Sequence, residues 1–181
     1  MILCAGEALI DMLPRETTEG GAAFQPFAGG AVFNTAIALG RLGAPTGFFS
    51  GISTDLFGEL LTDSLAASGV DASVAARSDR PTTLAFVTLT DGQASYAFYD
   101  ENTAGRMVSV EDLPSLDDDV SALFFGGISL VVEPCAATYA ALMEREAATR
   151  VTMIDPNIRP GFIRDESAYR ARIEKMIGLA D

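Results

Sequence analysis

Ala28-Gly29-Gly30-Ala31-Val32-Phe33-Asn34-Thr35-Ala36-Ile37-Ala38-Leu39-Gly40-Arg41-Leu42-Gly43 is the stretch on which the fold turns. A glycine pair opens it, where the backbone takes angles or approaches a ligand in ways that a Cβ forbids. Asn34 follows at the start of a helical run. Ala36, Gly40 and Gly43 recur three and four apart, giving that helix a small face able to lie close on a sheet. Gly43 stands where a C′ glycine ends a helix. The expected product is a glycine turn that delivers a helix N-terminus and an amide side chain into one cleft. Free N–H groups and the Asn34 amide would suit an oxygen-rich ligand there. An ordinary loop-to-helix junction, with glycines for packing, is the competing account of the same residues.

Moving toward the N-terminus, Ile2 to Ala5 reads as a buried strand, Gly6-Glu7 interrupts it, and Leu9 to Leu13 resumes until Pro14 stops it. Asp11 is a carboxylate inside an apolar strand and needs partners. It either caps backbone or faces a ligand. Thr17 to Gly21 is a polar tip, and Ala22 to Phe27 a short strand feeding the glycine pair.

Moving toward the C-terminus, Thr46 to Ile52 reads as one buried strand. Asp55 to Ser68 is a helix with Phe57, Leu60, Leu61 and Leu65 on one face, stopped by Gly69. Thr82 to Thr90 and Gln93 to Tyr99 flank Asp91-Gly92, a strong hairpin signal. Phe98 shares a face with Ala94 and Tyr96. This hairpin is either a projecting lid or an edge of the main sheet. Asn102 to Asp119 is an acidic, loop-rich tract. Ala122 to Ile128 is a strand ending in glycines. Glu133-Pro134 opens a helix to about Ala148 with proline at its first position, and Glu133 is not a favoured N-cap, which hints at another role. Val151 to Ile154 is a strand, Asp155-Pro156-Asn157-Ile158-Arg159-Pro160 follows its end, and Ser167 to Ile177 is a last helix. Strands alternating with helices imply a mostly parallel sheet covered on both faces, with ligands beyond the carboxyl ends of its strands.

The 181 residues, 49% hydrophobic, suffice for one well-buried domain. No apolar run is long enough for a membrane span, and the N-terminus lacks the basic region of a signal peptide. Cys4 and Cys135 read as buried reduced thiols of a cytoplasmic protein. Twelve basic and 25 acidic residues give a net charge of −13, which repels nucleic acid and anionic membranes. Histidine is absent, which removes Ser-His and Cys-His nucleophiles and a histidine-based metal site. A base would be a carboxylate or a lysine.

Together these residues resemble the ribokinase-like, or PfkB, carbohydrate kinases along the whole chain. The resemblance rests on Gly6-Glu7 with Asp11, Gly29-Gly30 to Asn34 with Ala36 and Gly43, Gly51 to Gly58, Thr82 to Tyr99, and Asp155-Pro156-Asn157-Ile158-Arg159-Pro160. The last segment is similar to that of fructokinases and 2-keto-3-deoxygluconate kinases. The implied fold is a three-layer α/β/α domain with a mostly parallel sheet and a small β lid, its strands at about 12–27 and 82–100. Residues 1–181 would form the N-terminal part of that single domain, the C-terminal part being absent. The implied activity is phosphorylation of a sugar hydroxyl by ATP with Mg²⁺, and the resemblance also admits a monovalent cation. Asp11, Gly29, Gly30, Asn34, Phe98 and Glu133 would contact the sugar, while Asn157 and Arg159 would lie toward the phosphates. A surface cap or salt bridge is the competing account of Arg159.

Val32 and Ser53 depart from the family pattern. Asp100 stands where the keto-deoxy acid kinases usually have arginine, which would repel a sugar acid and favour a neutral ketose such as fructose. No Gly-x-Gly-Asp sequence, the family's anion hole and base, occurs in the chain. The chain alone is therefore expected to be inactive as a kinase. Competing accounts are a non-catalytic sugar-binding or regulatory module and a 2-keto-3-deoxygluconate kinase. A nucleotide-binding oxidoreductase is disfavoured by the lack of Gly-x-Gly-x-x-Gly and of a P-loop. The resemblance implies a small-molecule sugar as partner, with a homodimer through the lid also compatible.

Overall fold

The computed structural model describes residues 1–90 and 93–181. In chain order the elements are β1 (Ile2–Ala5), β2 (Leu9–Glu16), β3 (Ala22–Gly29), α1 (Ala31–Arg41), β4 (Thr46–Phe49), β5 (Gly51–Ser53), α2 (Leu56–Ala67), β6 (Val70–Asp71) and β7 (Ala76–Ser78). Then come β8 (Leu84–Thr90), β9 (Gln93–Tyr99), β10 (Ala122–Gly126), a 3₁₀ turn (Gly127–Leu130), α3 (Cys135–Glu146), β11 (Val151–Asp155), a 3₁₀ turn (Pro160–Phe162) and α4 (Glu166–Ile177).

A parallel sheet runs in the order β11-β10-β1-β4-β6. Its central strands are apolar on both faces because helices cover both, whereas on the edge strand β11 Val151 and Met153 are exposed. Leu3, Phe49, Leu123 and Phe125 pack with Tyr139, Leu142 and Ile173 of α3 and α4. Cys4 and Phe48 pack with Val32, Phe33, Leu61 and Leu65 of α1 and α2. Successive residues of one strand thus serve opposite cores, as alternation requires. Both cysteines are buried and unpaired, and burial pushes each thiol up to about 12. Among the described residues no helix is long and apolar enough to cross a membrane.

A second sheet, β3-β2-β8-β9, is separate from the first. The hairpin Thr82 to Tyr99 therefore belongs to a lid and not to the edge of the main sheet. Its turn, Asp91-Gly92, lies outside the described residues. Asp11, Ala85 and Phe98 form one row across three strands, with Tyr96 two residues along β9, so these side chains share a lid face.

Several boundaries differ from the sequence reading, β10 ending at Gly126 where a strand to Ile128 was expected and β8 starting at Leu84 rather than Thr82. Pro14 does not stop β2, which runs to Glu16 paired with β3. The pairing with β8 covers only Ile10 to Met12, so Pro14 lies where that side of β2 is an edge and its missing N–H is tolerated. β3 extends through Gly29, leaving Gly30 alone as the junction to α1. Thr46 to Ile52 is two strands, because β5 leaves the main sheet to pair with β7. Pro134 occupies the N-cap position of α3 and not its first helical position.

Asp55 joins the lid to the body. It caps α2 by accepting the N–H groups of Phe57 and Gly58 at 3.0 and 2.8 Å. It also accepts from the N–H and hydroxyl of Thr82, at 2.9 and 2.6 Å, just before β8. Burial pushes its carboxyl up, but the bonds from Thr82 and Gly58 outweigh that and hold it below the ordinary value of 3.8. Its contribution is thus fully present above pH 3.8 and is lost as pH falls through the lower folded value. Asp55→Ala is expected to cost about 2 kcal/mol, roughly half from the cap and half from the Thr82 bonds, in urea denaturation at neutral pH.

Candidate functional site

A cleft of about 360 Å³ opens beyond the carboxyl ends of β1, β10 and β11, beneath the lid. It is lined by Asp11, Gly30, Asn34, Phe98, Asn157 and Arg159 among others, so the structure gathers six expected residues that span 149 positions of sequence, from 11 to 159.

Asp11 reaches the cleft from β2. It is half-buried, and burial pushes its carboxyl up with no counteracting hydrogen bond among the described residues. The backbone-cap account of this residue therefore lacks a bonded N–H. Gly29 stands beside it rather than on the cleft wall: a Cβ at Gly29 would overlap Asp11 Oδ2. Gly29 thus seats the carboxylate. Gly30 has φ 114° and ψ 141° and turns the chain into α1. Asn34 lies on the first turn of α1, exposed to the cleft.

The free N–H groups expected at the start of α1 are partly taken. Glu7 Oε1 accepts the Ala31 N–H at 2.8 Å, and the Glu7 carbonyl accepts the Phe33 N–H at 3.3 Å. Glu7 itself lines the cleft. Sequence reasoning passed over it, although it carried the same signal as Asp11, a carboxylate set between apolar runs.

Asn157 and Arg159 follow β11. The Asn157 N–H bonds to Asp155 Oδ1 at 2.9 Å, holding a turn in which Asn157 has φ 43°. Arg159 is exposed and, among the described residues, donates only to the carbonyls of Asn157 and Ile158, at 3.4 and 3.3 Å. Among the described residues it forms no ion pair, so the salt-bridge account of it fails and its charge remains available. Phe98 contacts Phe162 edge to face, with ring centroids 4.5 Å apart, bridging the lid to the loop after β11. That long-range contact leaves no local mark in sequence.

Glu133 stands apart. It lies in an adjoining chamber of about 580 Å³, where its Oε2 accepts the Ala137 N–H at 3.1 Å and its Oε1 pairs with Arg172. It acts as a cap for α3 from one turn away. Asp100 lines the same chamber and pairs with Arg106 at 3.1 Å. Its charge is compensated, so the repulsion of a sugar acid expected from Asp100 does not follow. Among the described residues no group of three or more Asp, Glu or Cys side chains gathers to hold a metal ion.

Among the described residues the cleft offers one carboxylate without a hydrogen-bond partner, two side-chain amides, an aromatic cover, and a guanidinium in no ion pair. Residues 1–181 match the family described as pfkB family carbohydrate kinase. A fructokinase of Rhizobium leguminosarum bv. trifolii is 62% identical over 181 residues, which are all of this chain and 56% of that protein. The solved structure of a fructokinase from Xylella fastidiosa with bound ATP is similar with a TM-score of 0.88 and 33% identity, over 99% of this chain and 59% of that one. An uncharacterized sugar kinase of Pyrococcus horikoshii in complex with ATP gives a TM-score of 0.88 at 26% identity, over 100% of this chain and 61% of the other. The chain spans a little over half the length of these relatives.

Proposed function

The chain belongs to the pfkB family of carbohydrate kinases, and from that premise we propose that it is the sugar-binding, lid-bearing part of a fructokinase-type enzyme. The reaction transfers the γ-phosphoryl group of ATP to a hydroxyl of a neutral ketose such as fructose. The observation that carries this reading is Asp11: a half-buried carboxylate without a protein partner among the described residues, in a lidded cleft that also holds Arg159.

Each residue has a separate task. Asp11 accepts hydrogen bonds from sugar hydroxyls, and Asn34 both donates and accepts. Gly30 lets backbone approach the ring. Tyr96 and Phe98 cover it and exclude water. Arg159, with Asn157 beside it, faces the phosphates and offsets their charge, which is most of what phosphoryl transfer asks of a protein. ATP supplies the transferred group when bound. Mg²⁺ would be carried by the nucleotide phosphates, since among the described residues no group of three or more Asp, Glu or Cys side chains gathers to hold it. Of the two carboxylates lining the cleft, Glu7 is engaged by backbone and Asp11 binds hydroxyls. The family's Gly-x-Gly-Asp motif does not occur in these 181 residues, and on that ground we assign the base that deprotonates the acceptor hydroxyl to residues outside them.

Away from the cleft the lid carries Phe24, Phe86 and Tyr99 in edge-to-face contact, with Phe24 45% and Tyr99 62% exposed. This apolar face supports a homodimer paired through the lid.

Calorimetric titration of the 181-residue chain with fructose and with 2-keto-3-deoxygluconate, beside an ATP-turnover assay, tests the reading. Fructose binding without turnover is the expected result. Binding of the sugar acid alone would replace fructose as substrate, and turnover by the chain itself would sink the assignment of the base.

A further inference from the structure

Glu7 is only 9% exposed and joins three separate segments. It sits between β1 and β2. Its Oε1 holds the Ala31 N–H at 2.8 Å, its Oε2 holds the Ser129 N–H at 3.4 Å, and its carbonyl holds the Phe33 N–H at 3.3 Å. Each segment supplies a wall of the cleft: Leu9 and Asp11 from β2, Ala31 and Asn34 from α1, and Ile128 from the 3₁₀ turn after β10.

Two glycines make room for it. Gly127 has φ 69°, and a Cβ there would overlap the Glu7 carboxylate. A Cβ at Gly30 would lie 2.8 Å from the Glu7 carbonyl oxygen. Among the described residues Glu7 has no ion-pair partner. A carboxylate so buried without a cation is costly unless N–H groups satisfy it. Here one of those groups begins a helix, whose dipole favours an anion. The tie is therefore specific in geometry.

We propose that Glu7 is a positioning residue: its side-chain oxygens set the separation between the Asn34 wall and the Ile128 wall, and sugar affinity depends on it through the walls it ties. The affinity part rests on the sugar-binding reading above; the positioning part does not.

Two variants of the 181-residue chain test this. Glu7→Gln preserves shape but presents one acceptor and one donor to two N–H groups, so one tie is lost. Ala31→Pro removes the N–H itself at a first helical position, where proline is tolerated, and leaves the Glu7 side chain as it is. Both are expected to weaken fructose binding about tenfold. Both should also shift the Asn34 side-chain and Ser129 amide resonances in ¹H–¹⁵N spectra while leaving α4 unmoved. A merely stabilising role would lower the melting temperature and leave affinity and the Asn34 resonance alone. Fructose affinity within twofold of the parent and unshifted Asn34 and Ser129 signals would overturn the proposal. If the parent chain binds no fructose, the sugar reading fails and the two resonances decide the role of Glu7. If Glu7→Gln does not fold, Ala31→Pro carries the same decision.

Discussion

Gly30→Ala is expected to destabilise the chain by about 3 kcal/mol and to lower its melting temperature by roughly 6–12 °C, with loss of sugar binding. The backbone at Gly30 has φ 114° and ψ 141°, a region that residues with a Cβ rarely adopt. Holding alanine there costs on the order of 1–3 kcal/mol. The new methyl would also stand 2.8 Å from the Glu7 carbonyl oxygen and 3.3 Å from Glu7 Cγ. Backbone on that side cannot swing away, because it bonds the Phe33 N–H. Forced overpacking of this kind adds about 1–3 kcal/mol. Gly43 supplies the control: its φ is 83°, but a Cβ there meets nothing within 4 Å. Gly43→Ala should therefore show only the conformational part, about 1 kcal/mol. Thermal denaturation of the two variants side by side separates strain from collision. Equal losses would mean that the Gly30 junction relaxes and that its close approach is not needed.

The sequence marked its boundaries best where a single residue type is physically required. Gly43 and Gly69 end α1 and α2 with φ 83° and 72°, as their positions imply, while Asp55, read as the first residue of α2, is its cap. Three-layer burial was legible because Ile2 to Ala5 and Ala122 to Gly126 are apolar at successive positions, which only a sheet covered on both faces needs. Other features depend on partners that are distant in the chain. Nothing local separates β4 from β5, since all seven of their residues are buried; the break arises because β5 pairs with β7. Pro14 looked like a stop because its neighbours were unknown, and one unpaired side suffices to admit it.

In the site, Asp11 was legible from one local oddity, a carboxylate in an apolar strand. Glu7 showed the same oddity but was read as an interruption, since the two N–H groups that satisfy it come from residues 31 and 129. Glu133 was singled out as a poor N-cap. Its cap runs instead to Ala137 and its charge partner is Arg172, 39 residues away. Asp100 was read without its partner Arg106, which is only six residues on.

Asp11→Asn should weaken fructose binding by roughly 30- to 100-fold and at the same time make the chain more stable at neutral pH. The loss follows from removing a charged acceptor, whose hydrogen bonds to a ligand contribute about 2–3 kcal/mol. The gain follows from the same charge without ligand. Burial raises the Asp11 carboxyl above the ordinary aspartate value of 3.8, so the folded chain holds that proton more tightly than the unfolded chain does. The ionised form is therefore penalised by folding. That penalty is complete above the raised value, shrinks as pH falls through it, and is gone below pH 3.8. Asparagine carries no such penalty, so the stability gap between variant and parent should be widest near neutrality and close toward pH 3.8. Fructose affinity of the parent should move the opposite way to its relief from the penalty, falling as Asp11 takes up its proton. Urea denaturation across that pH range, with calorimetric titration at each point, reads both effects. A residue kept for folding would lose stability on substitution and leave affinity untouched. A residue kept for its ligand gives the reverse, because its charge has no hydrogen-bond partner among the described residues until a ligand supplies one.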